Sequence, residues 1–410
     1  RKSRRGVRMQ LKYIGLLMAY SMATAVFAQN AGTTAPSRRV RKLEPAEVNI
    51  LGSYYSQDGN HSPVTGGIGT EQLTDVTPSI IVNVPLDTVT NLNVNFGMDF
   101  YSSASTDNID FNVSSASKSD LRTHLNVGIS RHSSLTRVTK SLMIGGSTEY
   151  DYQSLSVGAG WALESQDRNR ELSLTGMIYF DSWSLIYPQE LRNGTSLVST
   201  NKRQSYNLSA TLSQVINRKM QASLSADIVY QTGLLSTPFH RVYFREQEMA
   251  KVEQLPDQRL KYPVGLRVNY YVSDHVTSRF FYRFYNDSWG VTANTIELET
   301  PIKFGPFFSF YPFYRFHNQT AADYFAPYKE HSLSQEFYTS DYDLSRFSSH
   351  KAGLGLRYSP LTGIGKFGLP FSKSKALLKG IELRGANYWR NNGLKAFIIS
   401  TDLNFTLPSR

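Results

Sequence analysis

The sequence predicts an all-β fold, a single antiparallel transmembrane β-barrel of about sixteen strands, with a margin of two in the count. Three observations carry that prediction. Apolar residues return at every second position in segment after segment, the links between segments alternate long and short, and the composition is aromatic rather than aliphatic. The stretch Asn91–Phe100 shows the first most clearly: Leu92, Val94, Phe96, Met98 and Phe100 alternate with Asn91, Asn93, Asn95, Gly97 and Asp99. A period of two sends alternate side chains to opposite faces of a strand, so one face suits hydrocarbon and the other water.

The 410 residues are 40% hydrophobic and 13% aromatic, with 25 tyrosines and no cysteine. A deep soluble core would hold more Leu, Ile and Val, whereas a barrel wets half of every strand and collects rings at both interfaces. No apolar run of ~18 residues follows the N-terminus, which excludes membrane helices. The lack of cysteine excludes disulfides, thiolate metal sites and Cys nucleophiles. The net charge of +11 is inflated by the leader, and the rest of the chain has 38 basic against 33 acidic residues. That charge is dispersed along strand faces, so nucleic acid is not an expected partner.

Taken in order, Arg1–Arg8 reads as a spurious basic leader before Met9. Lys12, the apolar run Tyr13–Phe27 and the small-residue end Ala25-Val26-Phe27-Ala28 then make residues 1–28 a secretory signal peptide, cut before Gln29. Residues 29–45 form a polar, basic periplasmic tail, too short for the plug of an energised receptor. The barrel itself is expected over 46–408, in the outer membrane of a Gram-negative bacterium, with lipid and the barrel-assembly machinery as its partners.

The expected strands lie near 46–56, 73–84, 89–103, 119–130, 136–147, 150–164, 171–183, 203–216, 219–232, 259–272, 275–287, 290–303, 306–317, 347–359, 377–390 and 393–407. Met220–Tyr230 repeats the alternation, with Met220, Ala222, Leu224, Ala226, Ile228 and Tyr230 against Gln221, Ser223, Ser225 and Asp227. Short turns fall at Pro85–Thr88, Gln166–Arg170, Asn217-Arg218, Ser273-Asp274 and Phe304–Pro306, and long loops at 57–72, 104–118, 184–202, 233–258 and 318–346. Short turns inside and long loops outside are the barrel pattern. Links near 148, 288 and 391 are short for outer loops, and 360–376 is long enough for a small periplasmic element. Phe100, Tyr101, Tyr150, Tyr152, Phe180, Trp183, Trp289, Tyr388 and Trp389 mark an outer aromatic girdle, and Tyr270, Phe304, Tyr358 and Phe405 an inner one.

Once the outward parity is set, the lumen charges follow. An acidic arc comprises Asp99, Glu149, Asp151, Glu164, Asp181 and Asp227. A basic arc comprises Arg267, Arg279, Arg283, Arg315, Lys351, Arg357 and Arg384, interrupted by Glu297, Glu299 and Glu382. Facing arcs of opposite sign would set a transverse field that orients polar solutes. The other reading is that these charges pair and fill the interior, and both stay open. Asp99, Glu149, Asp151 and Asp181 gather near one mouth as oxygen ligands suited to calcium, with Thr106-Asp107-Asn108-Ile109-Asp110 nearby, yet the spacing of a calcium loop is missing and solvated acids are the expectation. No metal or cofactor is expected. The eight histidines include His61, His240, His331 and His350 in or near outer loops, but none has a Ser and an Asp at a spacing that implies catalysis. No enzyme is expected.

Two stretches resemble a known family. Asp99-Phe100-Tyr101-Ser102-Ser103-Ala104-Ser105 and Ser147-Thr148-Glu149-Tyr150-Asp151-Tyr152-Gln153-Ser154 are similar to motifs of an uncharacterised family of bacterial exported proteins, the domain of unknown function numbered 3570. The turn Ser165–Leu172 fits as well, and Ser103 stands where many members have Gly. The signal peptide and loops resemble the Bacteroidota branch. The resemblance implies an outer-membrane barrel, assigns no reaction, and places Asp99, Ser102, Ser105, Glu149, Asp151 and Ser154 at motif positions. The expected function is a porin-like, passive or gated path for polar solutes. The alternative is a filled structural or binding barrel whose outer loops engage an envelope partner.

Overall fold

The computed structural model describes residues 43–103, 119–185, 187, 191, 200–368 and 374–407. The signal peptide 1–28, most of the tail 29–45, Ser105 and the segment Thr106–Asp110 lie outside the described residues.

The alternating segments close into a barrel of sixteen antiparallel staves. They are β1 Glu47–Asp58, β2 Leu73–Pro85, β3 Thr90–Ser103, β4 Ser119–Ser133, β5 Val138–Thr148, β6 Tyr152–Glu164, β7 Arg170–Trp183, β8 Lys202–Asn217 and β9 Met220–Gly233. There follow β10 Gln258–Lys261 with Val264–Ser273, β11 Val276–Asn286, β12 Thr292–Glu299 with Ile302–Lys303, β13 Phe308–Gln319, β14 Phe347–Tyr358, β15 Lys375–Arg390 and β16 Lys395–Thr406. Two staves are broken because proline has no N–H to give the ladder: β10 at Tyr262-Pro263 and β12 at Thr300-Pro301. The proline carbonyls still serve, accepting from Asp227 N at 2.9 Å and Thr277 N at 3.0 Å. Closure comes from β16 pairing with β1, with Thr406 opposite Glu47 and Lys395 opposite Asp58. A closed barrel leaves no unpaired edge, which backbone in hydrocarbon cannot tolerate.

Side chains on the outer face have no protein to cover them. Leu142 is 65% exposed, Leu208 56% and Leu354 53%, a sheath that lipid would cover. The girdle is only part of what the sequence predicts. Phe100, Tyr150, Phe180 and Trp389 face outward, as do Tyr270 and Phe304 at the short-turn end. Tyr101, Tyr152, Trp183 and Tyr388 have the inward parity and bind lumen charges instead, and Trp289 is buried in a loop core. Position near a strand end was a weaker guide than parity.

Links alternate as predicted. At the short-turn end, the strand Gly365–Gly368 lies against the start of β15, Gly365 opposite Leu378, forming the small element expected in the long inner link. At the other end, residues 59–72, 234–257 and 320–346 fold together. A hairpin pairing Arg241-Val242 with Lys251-Val252 buries Val242 and Phe244 completely against Tyr338. Tyr338 and Gln254 exchange backbone hydrogen bonds of 2.7 and 3.1 Å, and Arg245 N donates to His331 O. The Arg241 guanidinium donates to Val64 O at 2.6 Å, and His61 stacks on Tyr342 with centroids 3.8 Å apart. Gly66 has φ +82°, and a Cβ there would lie 2.6 Å from the Tyr243 ring, so glycine permits both the turn and the approach.

Topology gives that contact its meaning. The β1–β2 and β9–β10 hairpins are half the circumference apart in a sixteen-stave barrel, and the β13–β14 link lies between them. Strand spacing and tilt make such a barrel roughly 30 Å across. The three loops therefore meet over the mouth as a deck, with a core of their own.

Candidate functional site

The inward face is where charge concentrates, because alternation leaves it the polar half of each stave. The acidic arc does not stand free. Asp181, 6% exposed, accepts from Arg203 Nε at 2.8 Å and from the Tyr152 hydroxyl at 2.9 Å, while Arg203 lies over the Trp183 ring. Arg122 Nε stands 4.0 Å from Asp99 and 3.7 Å from Glu149, whose other oxygen accepts from the Tyr101 hydroxyl. Arg122 and Arg203 were missed in the sequence, although their parity opposite Asp99 and Asp181 in the β3–β4 and β7–β8 ladders was the available signal. Glu164 and Asp227 have the inward parity and form no ion pair with a described residue.

The proposed calcium set is regrouped. Glu149 and Asp151 come together with Asp120, their oxygens within 4.8 Å, while Asp99 and Asp181 face arginines. Burial raises the Glu149 pKa, which disfavours the charged form a cation would need.

The basic arc is built differently. Glu299 is a strut: one oxygen accepts from Arg279 at 2.8 Å and the other from Arg384 at 2.7 Å. Arg384 also donates to Glu382, and Arg315 to Glu297, each at 2.5 Å. Lys351 lies over the Phe313 ring. Arg357 stands opposite Glu382 in the ladder. Arg267 and Arg283 form no ion pair with a described residue and instead rest near rings, 5.5 Å from Phe281 and 5.9 Å from Tyr285. Together these groups line a cavity of about 890 Å³ whose wall has Arg267, Arg279, Arg283, Arg315, Arg384 and Arg390 against Glu297 and Glu299. Phe281, Phe347, Tyr388 and His317 are among its other lining residues. A cationic excess therefore survives on this arc after all its ion pairs are counted.

Within the deck, His240 Nδ1 stands 3.4 Å from Glu253 and 4.0 Å from Asp341. Burial lowers the His240 pKa, but the Glu253 charge and hydrogen bond outweigh it, and the net shift is upward. Burial pushes Asp341 up to about 6 and Glu71 up to about 7. Glu253 also accepts from Thr339 Oγ1 at 2.5 Å and from Thr237 N at 2.7 Å, tying the two long loops together.

A family model matches residues 17–368, and it is described as "Protein of unknown function (DUF3570)". The chain belongs to that family. The residues expected at motif positions, Asp99, Ser102, Glu149, Asp151 and Ser154, fall at the deck end of the barrel: Ser102 hydrogen-bonds Thr74, and Ser154 stands opposite Asp181. No curated protein matches the DUF3570 chain. Among solved structures it is similar to a bacterial polysaccharide outer membrane secretin, at 11% identity and TM-score 0.46, covering 89% of this chain and 99% of that one. It is similar also to CdiB from Acinetobacter baumannii, at 11% and 0.45 over 88% and 60%. The outer membrane protein opdK from Pseudomonas aeruginosa matches at 8% and 0.37 over 89% and 100%. Likeness at this level identifies no transported compound.

Proposed function

We propose that this DUF3570 protein is an outer-membrane, porin-like path for small polar solutes, with no reaction of its own, whose wall favours anions and whose mouth is gated by the loop deck. The observation that carries the reading is the charge left over in the lumen. Arg267 and Arg283 face a cavity of about 890 Å³ with no carboxylate of the described chain to neutralise them. A barrel filled for rigidity alone would pair such charges, because an unpaired guanidinium away from bulk water is costly. Arginines lining a wet passage instead select by sign.

A second reading, a binding or structural barrel, is favoured by the deck. Its rigid core and its span across the mouth suit a contact surface for an envelope partner. Conductance of the purified, refolded protein in a planar bilayer separates the two. The channel reading expects steady current with a reversal potential on the anion side in a salt gradient, moved toward cations by Arg283→Glu. A folded barrel that never conducts would leave the binding reading.

A further inference from the structure

We infer that the arginine wall is a binding site for a small organic carboxylate, held between Arg267 and Arg283 over the Phe281 ring. The inference deepens the channel reading and rests on it for the route by which such a solute reaches the wall.

The register places the groups. Arg267 on β10 stands opposite Phe281 on β11, and Gly265 stands opposite Arg283. Arg279 and Arg283 are the next residues either side of Phe281 on the same face of β11, and the Arg267 guanidinium lies 5.5 Å from the Phe281 ring. Gly265 offers no side chain beside Arg283. Arg279 is occupied by Glu299, and that carboxylate is held at its other oxygen by Arg384, so neither is free to swing across. Arg267 and Arg283 are the two left with donors to spare.

The chemical class follows from three features. A guanidinium presents planar, paired donors that match a carboxylate or a phosphate oxygen pair. The Phe281 ring adds flat apolar surface, which an inorganic anion cannot use but a carbon skeleton can. The cavity is within the size range of organic ligand sites and far larger than a bare anion needs. Glu297 and Glu299 on the same wall repel a second anion elsewhere, which restricts the bound charge to the Arg267–Arg283 side.

The test uses 4-fluorobenzoate as the probe, followed by fluorine NMR with the full barrel refolded in detergent. 4-Fluorobenzamide serves as the neutral match, and inorganic phosphate as competitor. The expected result is saturable binding of the benzoate, weakened at least tenfold by Arg267→Gln and by Arg283→Gln, and unchanged by Arg218→Gln in an exposed turn. The amide shows only the same micelle partitioning in every variant, and phosphate competes at least tenfold more weakly than unlabelled benzoate. Equal competition by phosphate would reduce the wall to an unspecific anion site and overturn the assignment. So would benzoate binding that ignores both arginine changes, or no saturable binding at all. Circular dichroism on each variant checks that the barrel is intact, and a variant that misfolds is replaced by Arg283→Lys, which keeps the charge and loses the paired donors. Anion-selective current without benzoate binding would remove the site and spare the channel, whereas binding to a barrel that conducts nothing would do the reverse.

Discussion

At the scale of single residues, the lumen shows what one carboxylate can organise. Glu299 is 8% exposed and holds Arg279 and Arg384 from opposite oxygens. Glu299→Gln keeps the shape and removes the charge, leaving two guanidiniums facing one neutral amide. Because Arg279 is half exposed to the lumen, water screens part of the loss, and a cost of about 1–2 kcal/mol is expected rather than the full cost of a buried broken pair. Denaturant unfolding of the refolded protein reads that cost, and an unchanged midpoint would mean that the strut is ornamental. The same substitution adds net positive charge to the wall, so the reversal potential should move further toward anions. Arginines such as Arg279, Arg315 and Arg384 were legible in the sequence because parity alone sends them inward. Their partners were harder to read. Arg122 and Arg203 also have inward parity, but weighing them requires knowing which strands are neighbours and at what register, and only the ladder supplies that. Tyr101 and Tyr152 were misread for the related reason that a ring near a strand end can face either lipid or a carboxylate.

At the scale of elements, the deck is the part that the sequence concealed. Loops 234–257 and 320–346 were recognisable as long and aromatic, yet nothing local announces that Val242, Phe244 and Tyr338 form a closed core or that Arg241 reaches Val64. The first contact joins loops a quarter of the circumference apart and the second joins loops from opposite walls, so both exist only once the barrel has closed. Three partly buried groups of the deck titrate in one direction. Exposed Glu246, where desolvation is outweighed by the Ser332 hydroxyl and the Leu333 N–H so that its pKa is lowered, acts oppositely only below the ordinary carboxylate range. Glu71 and Asp341 are acids whose pKa is higher folded than unfolded, so the folded deck binds more protons and is weakened as they ionise. His240 has its pKa raised too, and its contribution is complete below its unfolded pKa and lost as pH rises through the folded one. All three signs agree: the deck loosens as pH climbs from about 4 past 7. Limited proteolysis within 234–257 and 320–346 should be severalfold faster at pH 8 than at pH 5. Glu71→Gln keeps the oxygen that accepts from Gln57 and deletes the buried charge, so it should slow cleavage at pH 8 and leave pH 5 unchanged. Cleavage that is independent of pH would dismiss the titration. Gly66→Ala tests the deck by sterics, since its Cβ would strike Tyr243 in a backbone conformation that alanine resists. It should speed cleavage at both pH values.

At the scale of the whole molecule, the fold was legible because two independent periodicities agreed. Side chains repeat every two residues and links alternate every two strands, and a register slip would have broken one or the other. The proline breaks in β10 and β12 left the alternation in place and so hid nothing. The charge pattern was legible only as placement, since net field depends on pairing. With Asp181 and Asp99 set against arginines, the acidic arc is muted, and the basic arc retains Arg267 and Arg283, which form no ion pair with a described residue. The lumen is thus expected to act as a positive wall more than as a dipole across the pore. That distinction has a measurable consequence in salt. A screening length near 10 Å at 0.1 M falls to about 3 Å at 1 M, well below the half-width of a barrel roughly 30 Å across. Anion preference should therefore be marked at 0.1 M, fade severalfold at 1 M, and be lost at both strengths when Arg267→Gln and Arg283→Gln are combined. Preference that persists at 1 M would instead require close contact between ion and wall along the whole path, as in a narrow constriction. Preference that survives the double change would assign selection to charges other than these two arginines.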